Sequence, residues 1–149
     1  MSRYLKPRVQ LRKRNSLGFC IDGGNGGSNG QNVSLHSYIE SHPNLTWEEL
    51  DRGNGFFSYQ KKGTNFSLDG GNGGEVGQNV FLWRTDPNNF NQHWRKVSTE
   101  NGNFKLQKRN ATGFTIDGGS GGSNGQNVAL GSFGNSSEDL QWFVEQEQE

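Results

Sequence analysis

Apolar and polar residues alternate over short stretches along the chain, and the same stretches recur three times. Val33 and Leu35 flank a serine in NVSLH, Val80 and Leu82 flank a phenylalanine in NVFLW, and Val128 and Leu130 flank an alanine in NVALG. Side chains i and i+2 share a face of a strand, so each run predicts a strand with one buried side. The earlier segments Phe19–Ile21, Phe66 with Leu68, and Phe114 with Ile116 repeat the pattern, and Val9 and Leu11 supply a first strand near the N-terminus. No stretch sustains a helical stripe.

Between the two runs of each copy lie DGGNGGSNG, DGGNGGEVG and DGGSGGSNG. Glycine visits positive φ without a Cβ penalty, so these segments predict tight turns between paired strands. Asp22, Asp69 and Asp117 recur at spacings of 47 and 48 residues, and so do Gln31, Gln78 and Gln126, and Trp47, Trp94 and Trp142. Landmarks that share one period define an internal three-fold repeat. The KRN, KKG and KRN segments at Lys13, Lys61 and Lys108 mark hairpin corners, and one residue fewer in the second copy accounts for the unequal spacing. The expected organisation is one domain over residues 1–149, with repeats of about 47 residues at approximately 9–55, 56–102 and 103–149.

A unit this short cannot bury its apolar face alone, so three units must share a core. Propellers typically need at least four blades, whereas three units of four strands make an all-β, twelve-stranded closed barrel with a hairpin cap. Trp47, Trp94 and Trp142 are expected inside it. Only 28% of the chain is apolar, but ten Phe, four Trp and three Tyr bring large buried areas.

Formal net charge is zero, which gives no reason to expect nucleic acid or an anionic membrane as partner. The signs are segregated. Six of the fifteen basic residues, Arg3 and Lys6 among them, lie at or before Arg14, while Glu138, Asp139, Glu145, Glu147 and Glu149 close the chain. These ends read as solvated faces, with mutual pairing as the alternative. The single cysteine, Cys20, has no intrachain disulfide partner, and its parity sets it opposite Phe19 and Ile21. The N-terminus carries no apolar run long enough for a signal peptide or a membrane span, so cytoplasmic synthesis is expected, with later release and extracellular action left open.

Enzyme chemistry finds little support. There is no Cys/His metal spacing and no nucleophile elbow, and each glycine loop offers one carboxylate where calcium takes six to eight oxygen ligands. No metal, cofactor or catalytic residue is expected. The outward positions are more informative. His36 and Trp83 stand on the parity opposite to the core residues of their strands, and Asp22, Asp69 and Asp117 directly follow the core residues Ile21, Leu68 and Ile116. An aromatic face suits the C–H patch of a pyranose, and carboxylates and carboxamides suit its hydroxyls. The bland reading of the aspartates is a turn cap for the glycine loops, and of Gln31, Gln78 and Gln126 a structural brace. His42 and His93 read as ordinary surface residues.

These features resemble the ricin-B-like, or R-type, lectins, β-trefoil proteins with pseudo-three-fold symmetry. Their repeats carry a C-x-D segment, a G-x-x-x-x-L-W segment and a closing Q-x-W. The resemblance covers residues 9–146. It implies sugar pockets built from an aspartate after the first strand, an aromatic platform after the second, and an Asn-Gln pair before the closing tryptophan. In the second copy these are Asp69, Trp83, Asn91 and Gln92. In the first they are Asp22, His36 and Asn44, with Leu45 in place of the glutamine. The third keeps Asp117, has Gly131 at the platform and Asp139 at the amide position, and offers Phe133 as a substitute platform. The implied function is multivalent binding of terminal galactose or N-acetylgalactosamine on glycoproteins or glycolipids, with a homodimer as one possible assembly. A non-lectin β-trefoil serving as a protein-interaction module is the alternative.

Overall fold

The computed structural model describes residues 7–146. Arg3, Lys6, Glu147 and Glu149 lie outside that range. The first repeat forms β1 (Arg8–Lys13), β2 (Ser16–Asp22), β3 (Ser34–Ser37) and β4 (Trp47–Gly53). The second forms β5 (Phe56–Lys61), β6 (Phe66–Asp69), β7 (Phe81–Arg84) and β8 (Trp94–Ser98). The third forms β9 (Phe104–Lys108), β10 (Phe114–Asp117), β11 (Ala129–Ser132) and β12 (Trp142–Gln146). A single 3-10 turn precedes the last strand of each repeat, at Pro43–Leu45, Phe90–Gln92 and Glu138–Leu140.

Six strands close a ring: β1 pairs with β4, β4 with β5, β5 with β8, β8 with β9, β9 with β12, and β12 with β1. Closure leaves this ring without an edge. The tryptophans occupy equivalent ring positions, Trp47 opposite Val9, Trp94 opposite Phe57 and Trp142 opposite Phe104. The remaining strands form the hairpins β2–β3, β6–β7 and β10–β11. This is a β-trefoil: a six-stranded barrel capped by three hairpins.

The alternating residues behave as their parity requires. Val33, Leu35, Val80, Leu82, Val128 and Leu130 are buried, as are all three tryptophans. A buried indole N–H needs an acceptor. Trp47 Nε1 donates to the Ile21 carbonyl at 3.2 Å, Trp94 Nε1 to Leu68 at 3.2 Å and Trp142 Nε1 to Ile116 at 3.1 Å. Each tryptophan therefore pins the backbone just before the aspartate of its own repeat.

The cap is knitted between repeats. Leu82 N donates to the Gln31 carbonyl, Leu130 N to Gln78 and Leu35 N to Gln126, each at 2.8 Å. Asn32 Nδ2 donates to Asn127 Oδ1, and Asn127 Nδ2 to Asn79 Oδ1.

Several expectations change. Cys20 is fully buried, in a strand flanked by Arg12 of β1 on one side and His36 of β3 on the other. The hairpin corners fall where expected, and Lys13, Lys61 and Lys108 are the buried last residues of β1, β5 and β9 ahead of them. His93 is also buried; its Nδ1 lies 3.1 Å from Arg109 and its Nε2 has no hydrogen-bond partner. Burial, with the Arg109 charge, holds its pKa below the ordinary histidine value. The chain ends pair: Arg12 reaches Glu145 at 3.0 Å, Lys13 reaches Asp139 at 3.2 Å and Arg14 reaches Glu138 at 3.7 Å. Among the described residues no helix is long and apolar enough to cross a membrane.

Candidate functional site

Each glycine loop opens with the same local device. Oδ1 of Asp22, Asp69 and Asp117 accepts from the backbone N–H of Gly24, Gly71 and Gly119 at 2.6, 2.7 and 2.8 Å. These are Asx turns, and Gly71, at φ 76°, occupies the left-handed conformation that the turn needs. The turn uses one oxygen of each carboxylate, and the second oxygen of Asp69 takes a hydrogen bond from Gln92. The glutamines brace the far side: Gln78 Nε2 donates to the Gly70 and Asn72 carbonyls at 2.7 and 3.2 Å, and Gln31 and Gln126 do the same in their copies.

Beneath each loop runs a lysine from the next repeat around the ring. A Cβ at Gly70 would lie 2.7 Å from Lys108 Cε and 2.9 Å from Trp94 Cη2. Gly23 meets Lys61 and Trp47, and Gly118 meets Lys13 and Trp142, in the same way. Every site is thus shared between two repeats, which the linear pattern does not display.

The second copy builds a cavity of about 320 Å³ lined by Asp69, Gly71, Asn72, Phe81, Trp83, Asn89 and Asn91. Trp83 is 42% exposed while Asp69 is only 3% exposed, so an open aromatic wall faces a recessed acid. Phe81 meets the Trp83 ring edge-on, with centroids 6.1 Å apart and planes at 74°. Asn91 is held on both sides. Its Nδ2 donates to Asn72 Oδ1 at 2.9 Å, its Oδ1 accepts from Asn110 Nδ2 at 2.7 Å, and Lys108 Nζ donates to Asn110 Oδ1.

Gln92 does not face this cavity. It is fully buried, and its Nε2 donates to Asp69 Oδ2 at 3.3 Å and to the Arg84 carbonyl at 2.9 Å, while its Oε1 accepts from Asp86 N at 3.0 Å. Its role is to position Asp69. Burial raises the Asp69 pKa above the ordinary carboxylate value, opposed by the Gly71 and Gln92 hydrogen bonds and the Lys108 charge.

The first copy has a smaller cavity of about 100 Å³ lined by Asp22, His36, Ile39, His42, Asn44 and Leu45. Asn44 Nδ2 donates to Asn25 Oδ1 at 2.8 Å, matching Asn91 and Asn72 in the second. His42, expected to be an ordinary surface residue, caps the 3-10 turn by accepting from Asn44 N at 3.1 Å and lines the pocket.

The third copy is filled by its own chain. A Cβ at Gly131 would lie 2.8 Å from Leu140 Cδ2 and 2.9 Å from Asp117 Oδ2, so these groups occupy the platform space. Asp139 is engaged by Asn15 at 2.9 Å and Lys13 at 3.2 Å through one oxygen, with Ser120 at 3.4 Å from the other. Burial pulls its pKa up, but the Asn15 and Lys13 hydrogen bonds and the Lys13 charge outweigh that and hold it below the ordinary carboxylate value. Phe133, two residues beyond Gly131, is half-buried and held by Lys105. Its ring lies under the Lys105 ammonium, 4.9 Å from the centroid, and its carbonyl accepts from the same group at 2.7 Å.

Phe81, Asn72, Asn89 and His42 thus join the expected residues. Phe81 carried a legible signal: it shares the outward parity of Trp83, and the other copies have Ser34 and Ala129 there.

A family model described as ricin-type beta-trefoil lectin domain-like matches residues 43–131. The chain is similar to a designed three-fold symmetric protein, ThreeFoil, at 28% identity, covering 92% of this chain and 96% of that one with a TM-score of 0.82. It is similar in fold to the Rhizoctonia solani agglutinin at 15% identity, covering 99% of both chains with a TM-score of 0.82. The Polyporus squamosus lectin, at 16% identity and a TM-score of 0.75, shares the fold over 96% of this chain, which spans 50% of that one. No curated protein sequence matches the chain.

Proposed function

The chain belongs to the ricin-type beta-trefoil lectin domain-like family, and from that premise we propose that it binds terminal galactose or N-acetylgalactosamine of glycans on glycoproteins or glycolipids. The observation that carries this reading is the second-copy cavity, where the exposed Trp83 indole stands across from the recessed Asp69 carboxylate. The indole covers the C–H face of the pyranose. The Asp69 carboxylate accepts from hydroxyls, and Asn91 sets the orientation of the ring. The first-copy pocket, with the smaller imidazole of His36 as platform, is the weaker site. The third has its platform space filled by Leu140 and Asp117 and contributes least. Two sites on one rigid body raise avidity on a glycan-coated surface above either single affinity.

Binding without bond cleavage is part of the proposal. Each aspartate is committed through one oxygen to an Asx turn, whereas glycoside hydrolysis needs two carboxyl groups flanking one bond. A glycan array probed with the intact protein tests the reading. Signals concentrated on galactose- and N-acetylgalactosamine-terminated structures are expected. Binding confined to other sugars, or none at all, contradicts it.

A further inference from the structure

The carboxamide of Asn91 meets different surroundings at its two ends. Its Nδ2 donates to Asn72 Oδ1 at 2.9 Å, and Asn72 lines the second-copy cavity with it. Its Oδ1 accepts from Asn110 Nδ2 at 2.7 Å, and Asn110 is not among the lining residues. The N–H edge is therefore turned to the cavity and the carbonyl away from it. A carboxamide has two N–H bonds, so one remains for a ligand after Asn72 is served.

What fixes this direction lies outside the cavity. The two ends of a carboxamide are nearly equal in shape, so its hydrogen-bond neighbours decide which end points where. Lys108 Nζ donates to Asn110 Oδ1, and an ammonium has no acceptor with which to take the opposite arrangement. Asn110 must then offer its Nδ2 to Asn91, which must answer with its Oδ1. Lys108 is fully buried while Asn110 is exposed, so the polarity is set in the interior and handed outwards. Burial lowers the Lys108 pKa, and the Asp69 charge opposes this loss of the proton.

The other repeats vary the arrangement. In the third, Lys13 Nζ donates to Asn15 Oδ1, and Asn15 Nδ2 donates to Asp139 Oδ1 at 2.9 Å. The direction is the same, and here it ends on a carboxylate, which can only accept. In the first, Gly63 stands where the others have asparagine, and Lys61 Nζ turns to the Gly26 carbonyl at 2.9 Å. Asn44 Nδ2 still donates to Asn25 Oδ1 at 2.8 Å, but no asparagine at the corner dictates its direction.

We propose that Asn110, which lies outside the cavity, is a positioning residue for the second site: it passes the donor polarity of Lys108 to Asn91 and so commits that amide to read a hydrogen-bond acceptor on the ligand. This rests on the galactoside reading of the cavity and adds the polarity of one of its contacts. It also separates the second site from the first by a feature other than the Trp83 platform.

Asn110→Asp and Asn110→Ala distinguish polarity from support. The introduced carboxylate keeps the size of the side chain and accepts from Lys108, but toward Asn91 it can only accept as well, which turns the Asn91 carbonyl to the ligand. Alanine removes the relay without reversing it. Lactose is uncharged, so the added charge has no partner on the ligand. Calorimetric titration of lactose at neutral pH into wild type and both variants, each shown to be folded by a urea melt, is expected to rank the tighter site as wild type, then alanine, then aspartate. The expected losses are about twofold and about tenfold. The weaker first-copy site is expected to keep its affinity in both. A side chain that merely props Asn91 gives the opposite order, because aspartate fills the space and alanine does not. That order, or wild-type affinity in Asn110→Ala, overturns the proposal and leaves the galactoside reading standing. Failure of lactose to bind wild type overturns both.

Discussion

Gln92 Nε2 donates to Asp69 Oδ2 at 3.3 Å and to the Arg84 carbonyl at 2.9 Å, so one fully buried amide joins the acidic wall of the second cavity to the strand bearing its aromatic wall. Leu45 and Leu140 fill the equivalent positions without this link. Gln92→Leu is therefore expected to fold. It leaves Asp86 N and the Arg84 carbonyl without their partner, at a cost of about 1–3 kcal/mol. Lactose affinity at the tighter site falls several-fold because Asp69 loses its guide. Urea melts and calorimetry measure the two effects separately.

The buried carboxylate also sets a pH dependence. Burial raises the Asp69 pKa above its ordinary 3.8. A carboxylate with a raised folded-state pKa contributes stability that is fully present below 3.8 and is lost as pH rises through the folded value. Sugar binding needs the ionised acceptor, so it moves in the opposite sense. Affinity at the second site is expected to be constant near neutrality and to weaken as pH falls through a value above 3.8, approaching about tenfold per pH unit. Titrations with lactose between neutral pH and pH 4 check this, and Asp69→Asn is expected to remove the dependence.

Cys20 gives a chemical prediction. Its side chain is fully buried and desolvation pushes its pKa up to about 12, so the thiolate population near neutral pH is very small. The native protein is expected to resist a thiol-specific disulfide reagent and to react stoichiometrically once unfolded in urea. Ser67 occupies the equivalent position of the second repeat and is also buried. Cys20→Ser is accordingly expected to change stability by less than about 1 kcal/mol and to leave glycan binding unaltered.

The three-fold repeat, the alternation of Val33 with Leu35 and its counterparts, and the buried tryptophans were legible in the sequence because each follows from a short-range period. The burial of Cys20 was not legible, because parity in one strand says which face a residue takes and not what other segments pack over that face. The resemblance to the lectins placed Gln92 at the sugar as the second member of an Asn-Gln pair, yet the 3-10 turn Phe90–Gln92 sends the two side chains to opposite environments, one lining the cavity and one fully buried. The lysines beneath the glycine loops escaped detection because Lys108 and Gly70 are brought together only when the ring closes.

The closing tryptophans tie the core to the sites. Trp94 is fully buried, packs under Gly70 and pins the Leu68 carbonyl one residue before Asp69. Trp94→Ala is expected to cost about 3–5 kcal/mol, the range for large aromatic-to-alanine core changes, and to shift the urea midpoint accordingly. Wild-type stability in this variant contradicts the shared core.

The most direct test of the account is calorimetric titration of lactose into wild type and Trp83→Ala, with a urea melt to show that both are folded. One stacking contact contributes about 1–2 kcal/mol, so its removal weakens a site by roughly five- to thirtyfold. The account predicts loss of the tighter class of sites in Trp83→Ala, with the weaker first-copy site remaining until His36→Ala is added. Lactose binding unaffected by Trp83→Ala combined with Asp69→Ala contradicts it.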